Sequence, residues 1–206
     1  MTKLDYIPTP LDFAQKYLNR LDIPCVYQEE LFRRELNTAK LDGLFIELGY
    51  YIGGTATSLC NTKKDMILYS FDHWKGLESF VVPNSKKGAC RWRGELPKIH
   101  ENVRLVIGDV QDTLEIFLNH HNKPIAFANF DMDGNSDYFV FCKLAEMNRL
   151  KKGTVFNISH ALKLYEEKIY TSIYDKFIEF VEKYNVKFKY FAFGDVHLAL
   201  IIDEDV

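Results

Sequence analysis

Four carboxylates stand at or just beyond the ends of short apolar runs: Glu47 in LFIEL, Asp72 after MILYSF, Asp109 after VRLVIG and Asp131 after PIAFANF. Acids at such places can each hold a different part of one ligand. Glu47 precedes Gly49, Gly53 and Gly54, and a fixed carboxylate there repels a phosphate at short range while suiting a cationic amino-acid group. Asp72 is placed to accept both hydroxyls of a ribose. Asp109 is placed to accept from an exocyclic adenine amine. The glycine spacing is G-x3-G-G with Tyr50 and Tyr51 in the middle, unlike the G-x-G-x-x-G that brings bare backbone to a pyrophosphate.

The elements that must position these acids are legible in the hydrophobic pattern. LFIEL, MILYSF, VRLVI, PIAFANF and GTVFNI are buried-type strands separated by helix-length segments, which predicts βαβ units and a parallel sheet covered on both faces. LKLYEEKIYTSIYDKFIEFVEKY spaces Tyr165, Ile169, Ile173, Phe177, Val181 and Tyr184 as one stripe of a long amphipathic helix. VKFKYFAF and VHLALII, separated by Gly194-Asp195, predict a closing antiparallel hairpin. Upstream, Thr9, Pro10 and Asp12 cap a helix carrying Leu11, Ala14, Leu18 and Leu21, and VYQEELFRRELNTAK is a second, highly charged helix. Neither carries an evident chemical constellation. The expected fold is therefore α/β and Rossmann-like, doubly wound, with a mostly parallel seven-stranded sheet, a closing hairpin and N-terminal helices. Residues 1–42 form a helical extension, and residues 43–206 form the main domain with a variable lid at 73–102. An ammonium, a ribose and an adenine held in order across such a sheet describe S-adenosylmethionine.

Composition bounds the function classes. With 206 residues, 47% of them hydrophobic and 15% aromatic, the chain fits one domain with a real core. A formal charge of −3 argues against a nonspecific binder of nucleic acid or anionic membrane, although KKGACRWR at 86–93 is locally basic. Cys25, Cys60, Cys90 and Cys142 are scattered, with neither metal-ligand nor disulfide-framework spacing. MTKLDYIPTP lacks an apolar signal core and no run approaches the about 18 apolar residues of a membrane helix, so the expected location is cytoplasmic.

FIELGYYIGGTA, YSFDHWKGLE, VRLVIGDVQDTLEIFL and IAFANFDMDGNSDY together resemble the class I S-adenosylmethionine-dependent methyltransferases, and among them the macrocin O-methyltransferase-like sugar methyltransferases. The specific pieces are Asp72-x-Trp74-x-Gly76-Leu77, and Gly108 with Asp112-Thr113-Leu114; the resemblance covers about residues 43 to 160. It implies that Glu47, Gly49 and Gly53 form the methionine end of the cofactor site, that Asp72 binds the ribose, and that Gly108 and Asp109 flank the adenine. It also implies that Asp131, with Asp133 two residues on, is a magnesium ligand and a base. The family completes its Mg2+ site with an aspartate pair on strand five, where counting from Asp131 places Ile158 and Ser159. Isoleucine cannot ligate a hard cation and serine is a poor substitute for a carboxylate.

Methyl transfer to oxygen requires acceptor, methyl and sulfur in line and a group that takes the hydroxyl proton. Asp131 is the first candidate base and His160 the second, since a histidine can act without metal. His73 is a third candidate. His120 and His121 are explained by a helix C-terminus, and His197, in a closing strand, is read as structural. His73, Trp74 and Arg91, with Phe80, Trp92 and Arg93, are candidates for contacting the acceptor, because aromatic faces pack on sugar rings and guanidinium groups bind carboxylate or phosphate. The expected protein is thus an O-methyltransferase of a small hydroxylated acceptor such as a sugar, functioning alone or as a homo-oligomer. A cofactor-binding partner or regulatory subunit without catalysis is the alternative that loss of the aspartate pair favours. A cephalosporin hydroxylase-like relative shares the glycine turn but not FDHWKGL, and a nicotinamide dehydrogenase would need different glycine spacing.

Overall fold

The computed structural model describes residues 23–76, 90, 91, 94, 97–161, 163–165, 168–170, 172–194 and 196–206. The expected helix from Thr9 to Leu21, the residues Phe80, Trp92 and Arg93, and most of the expected lid and basic patch lie outside the described residues.

Helix α1 (Gln28–Thr38) opens with Glu29 and Glu30, which suit the positive end of its dipole, and Glu30 pairs with Arg33 and Arg34 one turn on. Its other face, Leu31, Phe32, Glu35 and Leu36, is buried. The five apolar runs then form β1 (Leu44–Leu48), β2 (Leu68–Asp72), β3 (Val103–Ile107), β4 (Ile125–Phe130) and β5 (Val155–Ile158), with α2 (Gly54–Thr62), α3 (Val110–His120) and α4 (Gly134–Glu146) as crossovers. Every residue of β4 and β5 is buried, as expected of central strands covered on both faces.

One expectation is corrected after β5. Residues 163–184 are not one helix: Lys163–Tyr165 (β6) and Lys168–Tyr170 (β7) pair as a small antiparallel hairpin, and only α5 (Ser172–Tyr184) is helical. KLYEEKIY repeats a lysine, an aliphatic residue and a tyrosine on either side of Glu166-Glu167, and its β-branched and aromatic residues favour the strand. Ile173 and Phe177 do reach the core from α5, while Tyr165 and Ile169 belong to the hairpin.

The chain ends with β8 (Phe188–Gly194) and β9 (His197–Ile202), the expected hairpin. The main sheet has the order β3-β2-β1-β4-β5-β9-β8, in which β9 alone runs opposite to the other six strands. Strand order reverses between β1 and β4, and ligands of open α/β sheets bind outside the carboxyl ends of the strands at such a switch point. Helices α3, α4 and α5 cover one face through Leu114, Phe117, Phe141, Phe177 and Phe180. Helices α1 and α2 cover the other through Phe32, Leu36, Ala56 and Leu59. The N-terminal segment is laced to the far edge, where Cys25 bridges Phe193 and a Cβ on Gly194 would strike the Val26 backbone.

Candidate functional site at the carboxyl end of the sheet

The chain turns immediately after β1. Gly49 has φ +99°, and a Cβ there would lie 2.3 Å from the Asp131 carbonyl oxygen, so glycine is what lets the ends of β1 and β4 close on each other. Tyr51 also has a left-handed backbone, φ 48°. Its amide donates to Asp72 Oδ2 and the Trp74 amide donates to Asp72 Oδ1, both at 2.7 Å. The Trp74 indole in turn donates to the Tyr51 carbonyl at 2.7 Å. Asp72 therefore ties the glycine turn to the loop after β2, with carboxylate lone pairs still open to a ligand. Tyr50 points inward, edge-on to Trp74 at 6.2 Å, and the space at Gly53 belongs to its phenol, since a Cβ there would lie 2.3 Å from the hydroxyl.

Glu47 lies on the face covered by α1 and α2 and is fully buried. Its Oε2 accepts from the Ser70 hydroxyl at 2.7 Å, while Oε1 has no partner among the described residues. Burial, with the nearby Asp131 and Asp72 charges, pushes its pKa up to about 8 against the weaker opposing effect of Ser70. Glu47 belongs to a row that sequence reasoning missed: Ser70, Glu47, Asn129 and Asn157 are successive register partners across β2, β1, β4 and β5. The missed signal is a single polar residue near the carboxyl end of each apolar run, where period-two alternation puts all four on one face.

Asp109 begins α3, and its Oδ2 accepts from Lys75 Nζ at 2.7 Å, which holds its pKa down. His73 Nε2 stands 3.7 Å from the other oxygen. Gly108, with φ +139°, has its amide bound to the Asp72 carbonyl at 3.1 Å, so the ends of β2 and β3 meet there. Arg91 is exposed, and no described hydrogen bond brings it to the strand-end acids. Lys75, the cation that engages Asp109, is a second residue sequence reasoning missed.

At the end of β4, Asp131 Oδ1 faces His160 Nε2 at 3.2 Å. His160 follows β5 with φ 53°, a left-handed conformation uncommon outside glycine, and its Nδ1 is buried without a described partner. The positions where an aspartate pair would complete a magnesium site are otherwise used. Ile158 is fully buried in the core, and the Ser159 hydroxyl lies 2.9 Å from His197 Nδ1. Asp133 caps α4, accepting from the Asn135 amide, the Ser136 amide and the Ser136 hydroxyl. Asp137 is fully buried, and burial with the charges of Asp131 and Asp133 raises its pKa well above the usual range. Among the described residues no group of three or more histidine, cysteine or acidic side chains converges as metal ligands. Mg2+ is held by carboxylates and waters; at this strand end Ile158 and Ser159 stand where the partner carboxylates of Asp131 would be, and Asp133 and Asp137 are engaged in a cap and in the core.

The same surroundings fit a cationic, nucleoside-type cofactor. Asp72 and Asp131 place carboxylates beside the turn, Asp72 retains acceptor capacity, and the buried Glu47 leaves Oε1 as a polar atom without a partner among the described residues.

Solved structures share this architecture. The O-methyltransferase NovP superposes with a TM-score of 0.62 at 13% identity, over 86% of this chain and 80% of that one. The chain shares the fold of that protein. CalS11, a TDP-rhamnose 3'-O-methyltransferase of calicheamicin biosynthesis, gives a TM-score of 0.55 at 15% identity over 95% of this chain and 87% of its own. TomG from Streptomyces achromogenes, an O-methyltransferase of tomaymycin synthesis in complex with S-adenosylmethionine, gives 0.53 at 14% identity over 93% and 86%. No protein-family model matches the sequence, and no curated protein matches it. Among the described residues no helix of this fold is long and apolar enough to cross a membrane.

His197 of β9 completes the surroundings of His160. It is buried, and burial pushes its pKa down to about 4, so the ring is neutral near pH 7. Its Nε2 meets the Gln28 amide nitrogen at 2.8 Å, and its Nδ1 meets Asn157 Oδ1 at 3.2 Å as well as Ser159. Asn157 Nδ2 donates to Glu35 Oε2 at 3.0 Å, and Glu35 is fully buried with a pKa raised well above the usual range by that burial. Gln28 and Glu35 come from a helix that sequence reasoning credited with no chemistry.

Proposed function

We propose that the protein is an S-adenosylmethionine-dependent O-methyltransferase acting without metal on a small hydroxylated acceptor, a sugar being the class that best suits the aromatic surroundings of the site. The Asp131–His160 pair, set beside the left-handed glycine turn at the switch point of the sheet, carries this reading. Resemblance to the macrocin-like sugar methyltransferases and the names of NovP and CalS11 support the same class of reaction. Residues 43–206 supply the main domain, with residues 1–42 as an extension.

When bound, the cofactor supplies an electrophilic methyl group on a sulfonium. Glu47 and the Gly49–Gly53 turn would hold its amino-acid end, Asp72 its ribose, and Gly108 and Asp109 the adenine. His73, Trp74 and Arg91 would contact the acceptor, His73 and Trp74 from beside Asp109 and Asp72. The Asp131 carboxylate would take the proton of the acceptor hydroxyl as that oxygen is methylated. His160 holds that carboxylate in line through Nε2.

Calorimetry with S-adenosylmethionine tests the first half of the proposal; no heat of binding at millimolar ligand would sink it. Asp131→Asn tests the second, and should lower kcat by about 10²–10⁴-fold while leaving the cofactor Kd unchanged. An Asp131→Asn protein with wild-type turnover would remove Asp131 from the reaction.

A further inference from the structure

We propose that α1 is part of the active site: Gln28 and Glu35 are positioning residues that act through His197, Asn157 and Ser159 to set His160 against Asp131. This rests on the methyltransferase reading for its consequence in turnover, but its geometric claim stands independently.

Gln28, Phe32 and Glu35 are spaced four and three apart, so they share one face of α1. That face meets the same polar cluster at three points. The Gln28 amide donates to His197 Nε2 at 2.8 Å, Phe32 lies edge-on to the His197 ring at 5.8 Å, and Glu35 Oε2 accepts from Asn157 Nδ2 at 3.0 Å. With Gln28 donating to Nε2, the proton of the neutral ring is on Nδ1, where Ser159 Oγ at 2.9 Å and Asn157 Oδ1 at 3.2 Å both receive it. Every polar contact around the ring is therefore consistent with one tautomer, and α1 fixes it.

The cluster then reaches His160 by two routes. Ser159 is held by its side chain to His197 and by its amide to the Phe130 carbonyl at 2.9 Å, which anchors the backbone immediately before the left-handed residue His160. The His160 and His197 rings also lie nearly parallel, 29° apart with centroids at 6.4 Å. His160 adopts a left-handed backbone conformation that persists only where its surroundings over-determine it. Here the surroundings are Ser159, His197 and Asp131. The titratable groups bearing on His197 are Asp131 and His160 at its rim, and Glu35 lies behind Asn157.

A polar network that merely fastens α1 to the sheet would look similar in one respect: removing it would lower stability. Positioning is distinguished by coupling. Gln28 lies at the exposed edge of α1, so Gln28→Met removes the donor without opening the core. The experiment has two arms, with a thermal melt confirming that each variant is folded. In the free protein, long-range correlation spectra of the histidine side-chain nitrogens should show His197 losing its Nε2 hydrogen bond and the His160 resonances shifting, with those of His120 and His121 in place. In turnover, Gln28→Met should lower kcat by about 10–100-fold with the cofactor Kd changed by less than about two-fold, because a small misplacement of a reacting group is felt in the chemical step. In a His160→Gln background the same substitution should cost less than about two-fold, since residues acting through one another are not additive. Superimposable His160 resonances, or an equal cost in both backgrounds, overturn the proposal. If the unsubstituted protein transfers no methyl group, the methyltransferase reading fails and the spectra alone decide this one.

Discussion

Glu47→Gln isolates a carboxyl that the fold holds protonated. Glu47 is fully buried, keeps one hydrogen bond to Ser70, and leaves Oε1 unpartnered; with Asp131 and Asp72 nearby its pKa rises from 4.5 to about 8. Between those two values the native protein retains a proton that the unfolded chain has released, so stability falls as pH rises through the window. The loss is complete above the folded pKa. At about 1.4 kcal/mol per pH unit the whole change is on the order of 5 kcal/mol. Glutamine cannot ionise, and its amide oxygen can accept the Ser70 hydroxyl. Glu35 and Asp137, also buried with raised pKa values, add slopes of the same sign to both proteins, which cancel in the difference. Denaturant unfolding of both proteins between about pH 5 and about pH 8 should show the variant gaining several kcal/mol relative to wild type toward the alkaline end. Parallel stability curves would refute the assignment of a buried, neutral Glu47.

Two further outcomes follow from the same turn and the same strand ends. Gly49→Ala places a Cβ 2.3 Å from the Asp131 carbonyl at φ +99° and should cost about 2–4 kcal/mol in a thermal or denaturant melt, whereas Gly54→Ala, with nothing within 4 Å, should stay within about 0.5 kcal/mol of wild type. Turnover should change by less than about two-fold between excess chelator and millimolar Mg2+, since Ile158 and Ser159 stand where the partner carboxylates of Asp131 would be; activity that vanishes with chelator and returns with Mg2+ would contradict the metal-free reading.

The scaffold was legible because its signals are local. Five apolar runs bounded by turns, and the Gly194-Asp195 break, suffice to place β1 to β5 and the closing hairpin, since burial on both faces leaves little choice of residue. KLYEEKIY reads as helix because Tyr165 and Ile169 continue the four-residue stripe of the segment after it, and what makes it a hairpin is the pairing of Lys163–Tyr165 with Lys168–Tyr170. The glycine turn was also legible as a turn, but not its internal economy of space: that Gly49 yields to the Asp131 carbonyl and Gly53 to the Tyr50 phenol depends on contacts between segments far apart in the chain.

The candidate site divides along the same line. Counting along the chain correctly brings Ile158 and Ser159 to the end of β5, and residue chemistry alone shows that they cannot complete a magnesium site. Counting cannot show that the backbone reverses at the next residue. The left-handed φ of 53° at His160 is accompanied by an approach of its Nε2 to 3.2 Å from Asp131, so a nitrogen base meets the fourth-strand acid beside the place where two carboxylates were expected. What supports that reversal is a neutral histidine from β9 and two polar residues from α1, separated from His160 by 37 or more positions in sequence. A polar residue on the buried face of a charged helix reads as surface until the sheet beneath it is known. Glu35, fully buried and bound to Asn157, is the residue for which burial reverses that reading most completely, because an acid kept there must have a partner or a proton.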